Sequence, residues 1–141
     1  MGAVTLPQLA TIFARASVEI KHARHEILED ASVFFEDRAK SALGTYDFGW
    51  PPLAESTIAG KATGDSPLLE TGALRDSIQH NVDPMANLTG DAYVGTDLEY
   101  AKYQEYGTSK IPARPFLGGA IAQGEAHIPW IVHQALAKLF P

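Results

Sequence analysis

Residues 107–117, GTSKIPARPFL, determine how the second half of this chain is expected to fold. Pro112 and Pro115 fix their own φ angles, and each also pushes the preceding residue toward extended backbone. A segment with these restraints is neither a flexible linker nor an ordinary strand. The sequence therefore predicts a stiff, extended connection, which we call the proline arm.

Helices are predicted on both sides of the proline arm. Before it, Thr96 and Glu99 match a capping box, so a helix is expected to begin there and to end at Gly107. After it, the apolar residues in 116–139 recur at helical spacing, which predicts a closing helix. Glycines and a proline interrupt this pattern, so a kink or break is expected at 124–129.

Three tyrosines precede the proline arm, in the run EYAKYQEY. Tyr100, Tyr103 and Tyr106 follow one another at steps of three, so on a helix they form one stripe, the tyrosine stripe. Tyrosine is enriched at protein interfaces because it combines apolar area with a polar tip. Stacking on nucleic-acid bases is the alternative, and the net charge of −6 argues against it. We therefore expect the tyrosine stripe either to pack one edge on the core or to contact another protein.

The N-terminal part of the chain predicts one long helix at residues 6–43. Its apolar residues recur at steps of three and four, Thr5 can cap its start, and Gly44 can end it. About 37 helical residues would span roughly 55 Å, whereas a globular chain of this length has a radius of gyration of roughly 14 Å. The helix is therefore expected either to bend or break, or to protrude and pack on a neighbouring subunit.

Residues 44–66 are predicted to form a long loop, since they hold four glycines, two prolines and three aromatic residues. Trp50, which is followed by two prolines, is expected to anchor this loop. A short helix is predicted inside it at 53–59. A further short helix is predicted over 66–77, with a restart at Thr71.

Residues 78–83 and 91–96 alternate apolar and polar side chains, which predicts an antiparallel hairpin with a long turn. The predicted fold class is α+β. A long N-terminal helix and a C-terminal helix pack on a small antiparallel β-sheet containing the hairpin, with a long loop and the extended proline arm. The chain is expected to be one domain, residues 1–141, divided into the long helix 1–43, the loop 44–66, and the α+β core and arm 67–141.

The composition is that of a soluble globular protein, with 45% hydrophobic and 20% charged residues. There is no cysteine, which excludes disulfides, thiol catalysis and thiolate metal sites. The charges at Arg15, Glu19 and Lys21 leave no long apolar stretch for a signal peptide or a membrane span, so no membrane partner is expected.

Catalytic patterns are scarce in this sequence. It has no nucleophile elbow, Walker A loop, zinc-protease motif or dinucleotide-binding motif. The nearest feature to a metal site is HARHEILE, where His22, His25 and Glu29 come close together on a helix. Such a set is more often the solvated polar face of an amphipathic helix, so we expect no metal, no other cofactor and no enzyme. A small enzyme or metal-binding domain that uses these three residues is the alternative.

Four segments, taken in order, resemble proteins of long-tailed bacteriophages. They are TGALRDSI at 71–78, YVGT at 93–96, YAKYQEYGT at 100–108 and IPARPFL at 111–117. Their order and spacing are similar to those of the tail-completion and head–tail joining (neck) protein family, and of the related virion morphogenesis family of Mu-like phages. The similarity covers roughly residues 50–121 and also includes a long N-terminal helix.

The resemblance implies a structural virion protein: a small α+β subunit that forms a ring, typically of six copies, at the neck or the head-proximal end of the tail. The ring would complete the tail or join it to the head, with connector, stopper, tail-tube or tail-terminator proteins as partners. It would be assembled in the host cytoplasm and end up in the virion. DNA would pass through the lumen without specific binding, because an acidic lumen repels phosphate. The glycine-rich C-terminal segment with Pro129 departs from the family and leaves the shape of the closing helix open.

A ring subunit presents two different surfaces to its neighbours. We expect the proline arm to be part of one of them, since an arm that is already stiff loses little entropy on docking. Phe116 and Leu117 would anchor it, and Arg114 would pair with a carboxylate. The alternative is that the arm only connects two helices, with Phe116 in its own core. The expected subunit-interface residues are Tyr100, Tyr103, Tyr106, Gly107, Ile111, Pro112, Arg114, Pro115, Phe116 and Leu117.

Overall fold

A computed structural model describes residues 5–83 and 91–139 of the chain. Long helices near both ends flank a small sheet, which confirms the predicted α+β class. The elements are α1 (Leu6–Ala42), α2 (Glu55–Gly60), α3 (Ala73–Ser77), β1 (Gln79–Val82), β2 (Ala92–Gly95), α4 (Ala101–Tyr106), α5 (Leu117–Gly124), a 3-10 turn (Glu125–His127) and α6 (Ile128–Leu139).

The first helix, α1, has the boundaries that its sequence predicts. Thr5 and Gln8 form a reciprocal capping box, in which the Thr5 backbone N–H donates to Gln8 Oε1 at 2.9 Å. At the other end, Leu43 leaves the helical conformation and Gly44 takes a φ of 85°, which glycine adopts without strain. No helix in the described part of the chain, α1 included, is long and apolar enough to cross a membrane.

The N-terminal half of α1 protrudes from the rest of the subunit. The helix is unbroken over 37 residues, which rules out a break and leaves protrusion as the predicted alternative that describes it. Its buried residues begin at Ala23 and continue to Ala42, where α1 packs against the hairpin, α5 and α6. Residues 5–22 are exposed, apart from Ala16, which is half-buried.

Strands β1 and β2 pair antiparallel, as predicted. His80 lies opposite Val94, and Val82 lies opposite Ala92. These four side chains are half-buried, whereas the alternate positions Gln79, Asn81 and Tyr93 are exposed. The period of two therefore turns one face of the hairpin toward α1. The predicted turn of the hairpin, residues 84–90, lies outside the described residues.

The hydrophobic core forms where the C-terminal half of α1 meets the loop after it, α3, α4 and α5. Its largest side chains are Trp50 and Phe116, and Phe116 is fully buried. Around them lie the smaller side chains Ala39, Ala42, Leu43, Leu74, Ile78, Ala101 and Ala120.

Two helix predictions fail near the core. Residues 67–70 are not helical, since Leu68 has a φ of 62° and the Pro67 carbonyl accepts a hydrogen bond from the Gly44 N–H at 2.7 Å. Likewise no helix begins at Thr96, because its hydroxyl is hydrogen-bonded to the Ser77 hydroxyl at 2.6 Å and accepts from the Leu98 N–H. Helix α4 starts only at Ala101.

The other predicted short elements are close to the observed ones. The helix predicted at 53–59 is α2, which begins two residues later at Glu55. The break expected at 124–129 is the 3-10 turn Glu125–His127, which separates α5 from α6. This break is confirmed.

Candidate subunit-contact surfaces

The proline arm begins at a glycine that no other residue could replace without strain. Gly107 has φ 74° and ψ 174°, and its N–H donates to the Tyr103 carbonyl at 2.8 Å, which ends α4. A Cβ atom here would lie 2.7 Å from the Ala113 nitrogen. The chain therefore folds back on itself immediately after α4, with the Thr108 N–H donating to the Ile111 carbonyl at 2.9 Å.

Side chains of the proline arm alternate between outside and inside as it passes the core. Ala113 and Pro115 are exposed, whereas Arg114 and Phe116 are buried. Each proline holds its preceding residue in an extended conformation, and extended backbone alternates its side chains with a period of two. Arg114 and Phe116 are therefore directed to the same side, toward the subunit's own interior.

Arg114 holds the arm against the loop that follows α1. Its side chain is only 6% exposed. Nη2 donates to the carbonyl oxygens of Pro51 at 3.1 Å and Pro52 at 3.3 Å, and Nε donates to Pro51 at 3.3 Å. The Arg114 backbone N–H donates to the Gln104 carbonyl at 2.7 Å, which also ties the arm to α4.

Trp50 and Glu105 hold the end of the arm. The indole Nε1 of Trp50, a buried side chain, donates to the Pro115 carbonyl at 3.3 Å. The Glu105 carboxylate accepts from the backbone N–H groups of Leu117 at 3.0 Å and Gly118 at 2.8 Å. Glu105 therefore caps the start of α5 with a negative charge, which a helix N-terminus favours.

These contacts correct part of the expected subunit interface. Arg114 and Phe116 are buried against their own chain, so neither side chain is available to a neighbouring subunit. Arg114 binds backbone carbonyls and not the carboxylate that we expected. Leu117 is half-buried and packs against the same core, and it also lines an apolar groove beside α1. The alternative, an arm that connects two helices with Phe116 in its own core, describes the structure.

Other residues of the expected interface remain accessible. Tyr100 and Tyr103 are 45% and 47% exposed, and Tyr106 is 81% exposed. Tyr100, Ile111 and Pro112 also line one side of an open groove of about 580 Å³, whose opposite side is formed by the loop and α2 around Leu53. Tyr100 therefore belongs both to the tyrosine stripe and to the wall of this groove.

A second accessible surface lies on the protruding half of α1. Leu6, Leu9, Phe13, Ala16 and Ile20 recur at steps of three and four, so they line one face of the helix. The exposed fractions of Leu6 and Phe13 are 82% and 65%. We call this face the apolar stripe. An exposed apolar surface of this extent is typical of an interaction site.

His80 joins the sheet to α1 through two carboxylates. Its Nδ1 contacts Glu36, its Nε2 lies 2.9 Å from Glu29 Oε1, and Lys40 Nζ contacts the other Glu36 oxygen at 2.6 Å. A neutral imidazole has one N–H, so only protonated His80 can donate to both carboxylates. Hydrogen bonds to Glu36 and then Glu29 raise the pKa of His80 above its ordinary 6.5. A hydrogen bond from Lys40, with a smaller effect from His80, lowers the pKa of Glu36.

This cluster predicts a loss of stability at alkaline pH. Because folding raises the pKa of His80, its interactions stabilise the folded state fully below pH 6.5. This stabilisation is lost as pH rises through the folded-state pKa of His80. The Glu36 contribution has the opposite sign and is lost only as pH falls through its lowered pKa. Between about pH 6 and pH 9, we expect the free energy of unfolding to fall by about 1 kcal/mol more in the wild type than in His80→Gln.

Urea unfolding followed by circular dichroism at several pH values measures this difference. His22→Gln is the matched control, because His22 is exposed on the protruding part of α1. The control should show the wild-type pH dependence. A His80→Gln variant that retains the full wild-type slope would show that the His80 cluster does not couple protonation to folding.

The positions of His22, His25 and Glu29 do not support the alternative that these three residues hold a metal ion. His22 and His25 are exposed on α1, and the Glu29 carboxylate is directed to His80 instead. Across residues 5–83 and 91–139, no group of three or more histidine and acidic side chains has an arrangement that could hold a metal ion. Sequence reasoning singled out Glu29 but missed its partner His80, which is 51 residues away along the chain.

Comparison with known proteins gives no relative: no protein-family model, curated protein or solved structure matches this chain.

Proposed function

We propose that this chain is a structural virion protein of a long-tailed bacteriophage. Copies of it form a ring, of about six subunits, at the neck or the head-proximal end of the tail. The ring completes the tail or joins it to the head, and it carries out no chemistry. Its neighbours are connector or stopper proteins on the head side and tail-tube or tail-terminator proteins on the tail side.

The observation that carries this proposal is that all four segments of the phage resemblance belong to one structural unit. The segment 71–78 contributes Leu74 and Ile78 to the core, and 100–108 contributes Ala101. The segment 111–117 contributes Phe116, and Val94 from 93–96 packs against the same cluster. The four segments that carry the resemblance therefore supply core positions and the turns between them, which are the positions through which a sequence pattern specifies a fold.

The accessible surfaces support an assembled protein over a free-standing one. The apolar stripe and the tyrosine stripe lie on different elements, α1 and α4. A closed ring needs two different surfaces on each subunit, because every contact joins one surface to the other. Each of these surfaces is rich in apolar or aromatic side chains, the residue types that interfaces favour.

The negative net charge of the chain also supports a ring through whose channel DNA passes. The chain carries a net charge of −6, and six copies would carry about −36 before any counter-ion binding. Phosphates are repelled by such a surface, so DNA would move through the ring without adhering. This property distinguishes the proposal from a DNA-binding regulator, which requires a basic surface.

Negative-stain electron microscopy of the purified chain, alone and mixed with ring-deficient phage tails, tests this function. We expect rings with a central channel, and rings seated on one end of the tails. Binding to duplex DNA at low salt should be absent in the same preparation. A chain that forms no rings and adds to neither tails nor connectors would contradict the proposal.

A further inference from the structure

An apolar groove lies beside the C-terminal half of α1. Its volume is about 310 Å³, and its walls come from three elements, with Leu28 and Phe35 on α1, Val94 on β2 and Ile121 on α5. Ile121 is 54% exposed at the rim. A groove of this size and character can receive large apolar side chains from a helix.

The apolar stripe on the same helix has the spacing that such a groove recognises. Leu6, Leu9, Phe13 and Ile20 are anchors at steps of three, four and seven, the pattern of a helix docked in a groove. Each is at least 39% exposed. Within the described residues, the stripe lies on the part of α1 before Ala23. From Ala23 onward the rest of the subunit covers the helix.

The apolar stripe cannot reach the groove of its own chain. Phe13 and Phe35 belong to one unbroken helix, and the 22 helical steps from one to the other correspond to about 33 Å. Folding the stripe back would require breaking α1. The groove can therefore take this stripe only from another copy.

Opposite charges on the two halves of α1 favour that pairing. Residues 5–25 carry three basic residues and one acidic residue, a net charge of +2. Residues 26–42 carry five acidic and two basic residues, a net charge of −3. Lys138 pairs with Glu26, and His80 pairs with Glu29 and Glu36. The attraction of this half of α1 for the basic half in a second copy therefore rests mainly on Asp30 and Asp37.

We propose that the protruding, basic half of α1 docks head-to-tail into the apolar groove beside the acidic half of α1 in the next copy. Phe13 enters the groove near Ile121. Each subunit then gives a helix to one neighbour and receives a helix from the other, which is a heterologous contact that can close into a ring. The inference rests on the proposed ring and identifies the two surfaces that meet in its contact, the apolar stripe and this groove, so the tyrosine stripe is not part of that contact.

Disulfide cross-linking tests this contact cleanly, since the chain has no native cysteine. Phe13→Cys and Ile121→Cys are made as single variants, mixed and oxidised. We expect a covalent dimer in the mixture that is at least tenfold more abundant than in either variant alone. The double variant should give a ladder that extends to the full ring. Val18→Cys mixed with Ile121→Cys is the matched control, because five residues advance α1 by about 1.4 turns and turn Val18 away from the stripe.

Three outcomes would overturn this inference. A dimer of Phe13→Cys with itself would show that stripes pair with stripes. If the wild type has the mass of a ring but the two cysteine variants give no stripe-to-groove cross-link, the ring uses another contact, and the proposed function stands. A wild-type protein that is monomeric under the same conditions would instead contradict both proposals.

Discussion

Replacing Phe116 with alanine is expected to lower the free energy of unfolding by about 3–5 kcal/mol. The side chain is fully buried, and it packs in one cluster with Trp50, Leu74 and Ile78. Its removal leaves a cavity between the C-terminal half of α1 and the proline arm, and the arm cannot close that cavity because Pro112 and Pro115 restrict its backbone. Urea unfolding, followed by circular dichroism at one fixed protein concentration, measures the effect.

Tyr106→Ala is the matched control for this change. It removes an aromatic side chain of similar size that is 81% exposed. We expect its free energy of unfolding to stay within about 0.5 kcal/mol of the wild type. A Phe116→Ala variant as stable as Tyr106→Ala would contradict the placement of Phe116 in the core of the subunit.

Replacing Arg114 with alanine is expected to cost about 3 kcal/mol of unfolding free energy. The change removes a buried guanidinium that donates three hydrogen bonds to the carbonyls of Pro51 and Pro52. A hydrogen bond from a charged donor contributes about 1.5–3 kcal/mol, and the cost of removing the guanidinium from water on folding offsets part of the sum. The packing of the aliphatic stem is lost as well. Because these bonds fix the arm to the loop after α1, limited proteolysis of residues 51–53 should also become faster.

Arg114→Lys separates geometry from charge. A lysine keeps the positive charge, but one ammonium group cannot reproduce the planar fork that reaches both carbonyls. We expect Arg114→Lys to lose more than half of the stability that Arg114→Ala loses. Lys110→Ala, an exposed change in the same arm, should have almost no effect. A fully stable Arg114→Lys would mean that the buried charge alone stabilises the arm.

Features whose cause is local in the sequence could be predicted. The limits of α1 follow from its periodicity, from Thr5 and from Gly44. The hairpin follows from alternation, and the break before α6 from glycine and proline. In each case the residues that determine the structure lie within a few positions of the feature itself.

Features that depend on distant partners could not be predicted. The Thr96 hydroxyl matches a capping box by its spacing, yet it is bonded to Ser77. Glu105 caps α5 from a different helix, 12 and 13 residues earlier in the chain. His80 and Glu36 are 44 residues apart. No short-range pattern identifies any of these pairs.

The direction of the proline arm is an intermediate case. The prolines predict an extended backbone, and extended backbone places Arg114 and Phe116 on the same side. That side could have faced a neighbour or the chain's own core, because proline restricts φ without choosing which face is buried. The presence of a large aromatic at the second of these positions was the one signal that favoured the core.

The mass of the assembled protein tests the central claim most directly. Native mass spectrometry of the wild type at micromolar concentration should give a closed oligomer near 91 kDa, six times the 15.2 kDa of one chain. Phe13→Asp should reduce this species to monomers, while the equivalent change Val18→Asp on the other side of α1 should leave it intact. A wild type that stays at 15.2 kDa over the whole accessible concentration range would contradict the account.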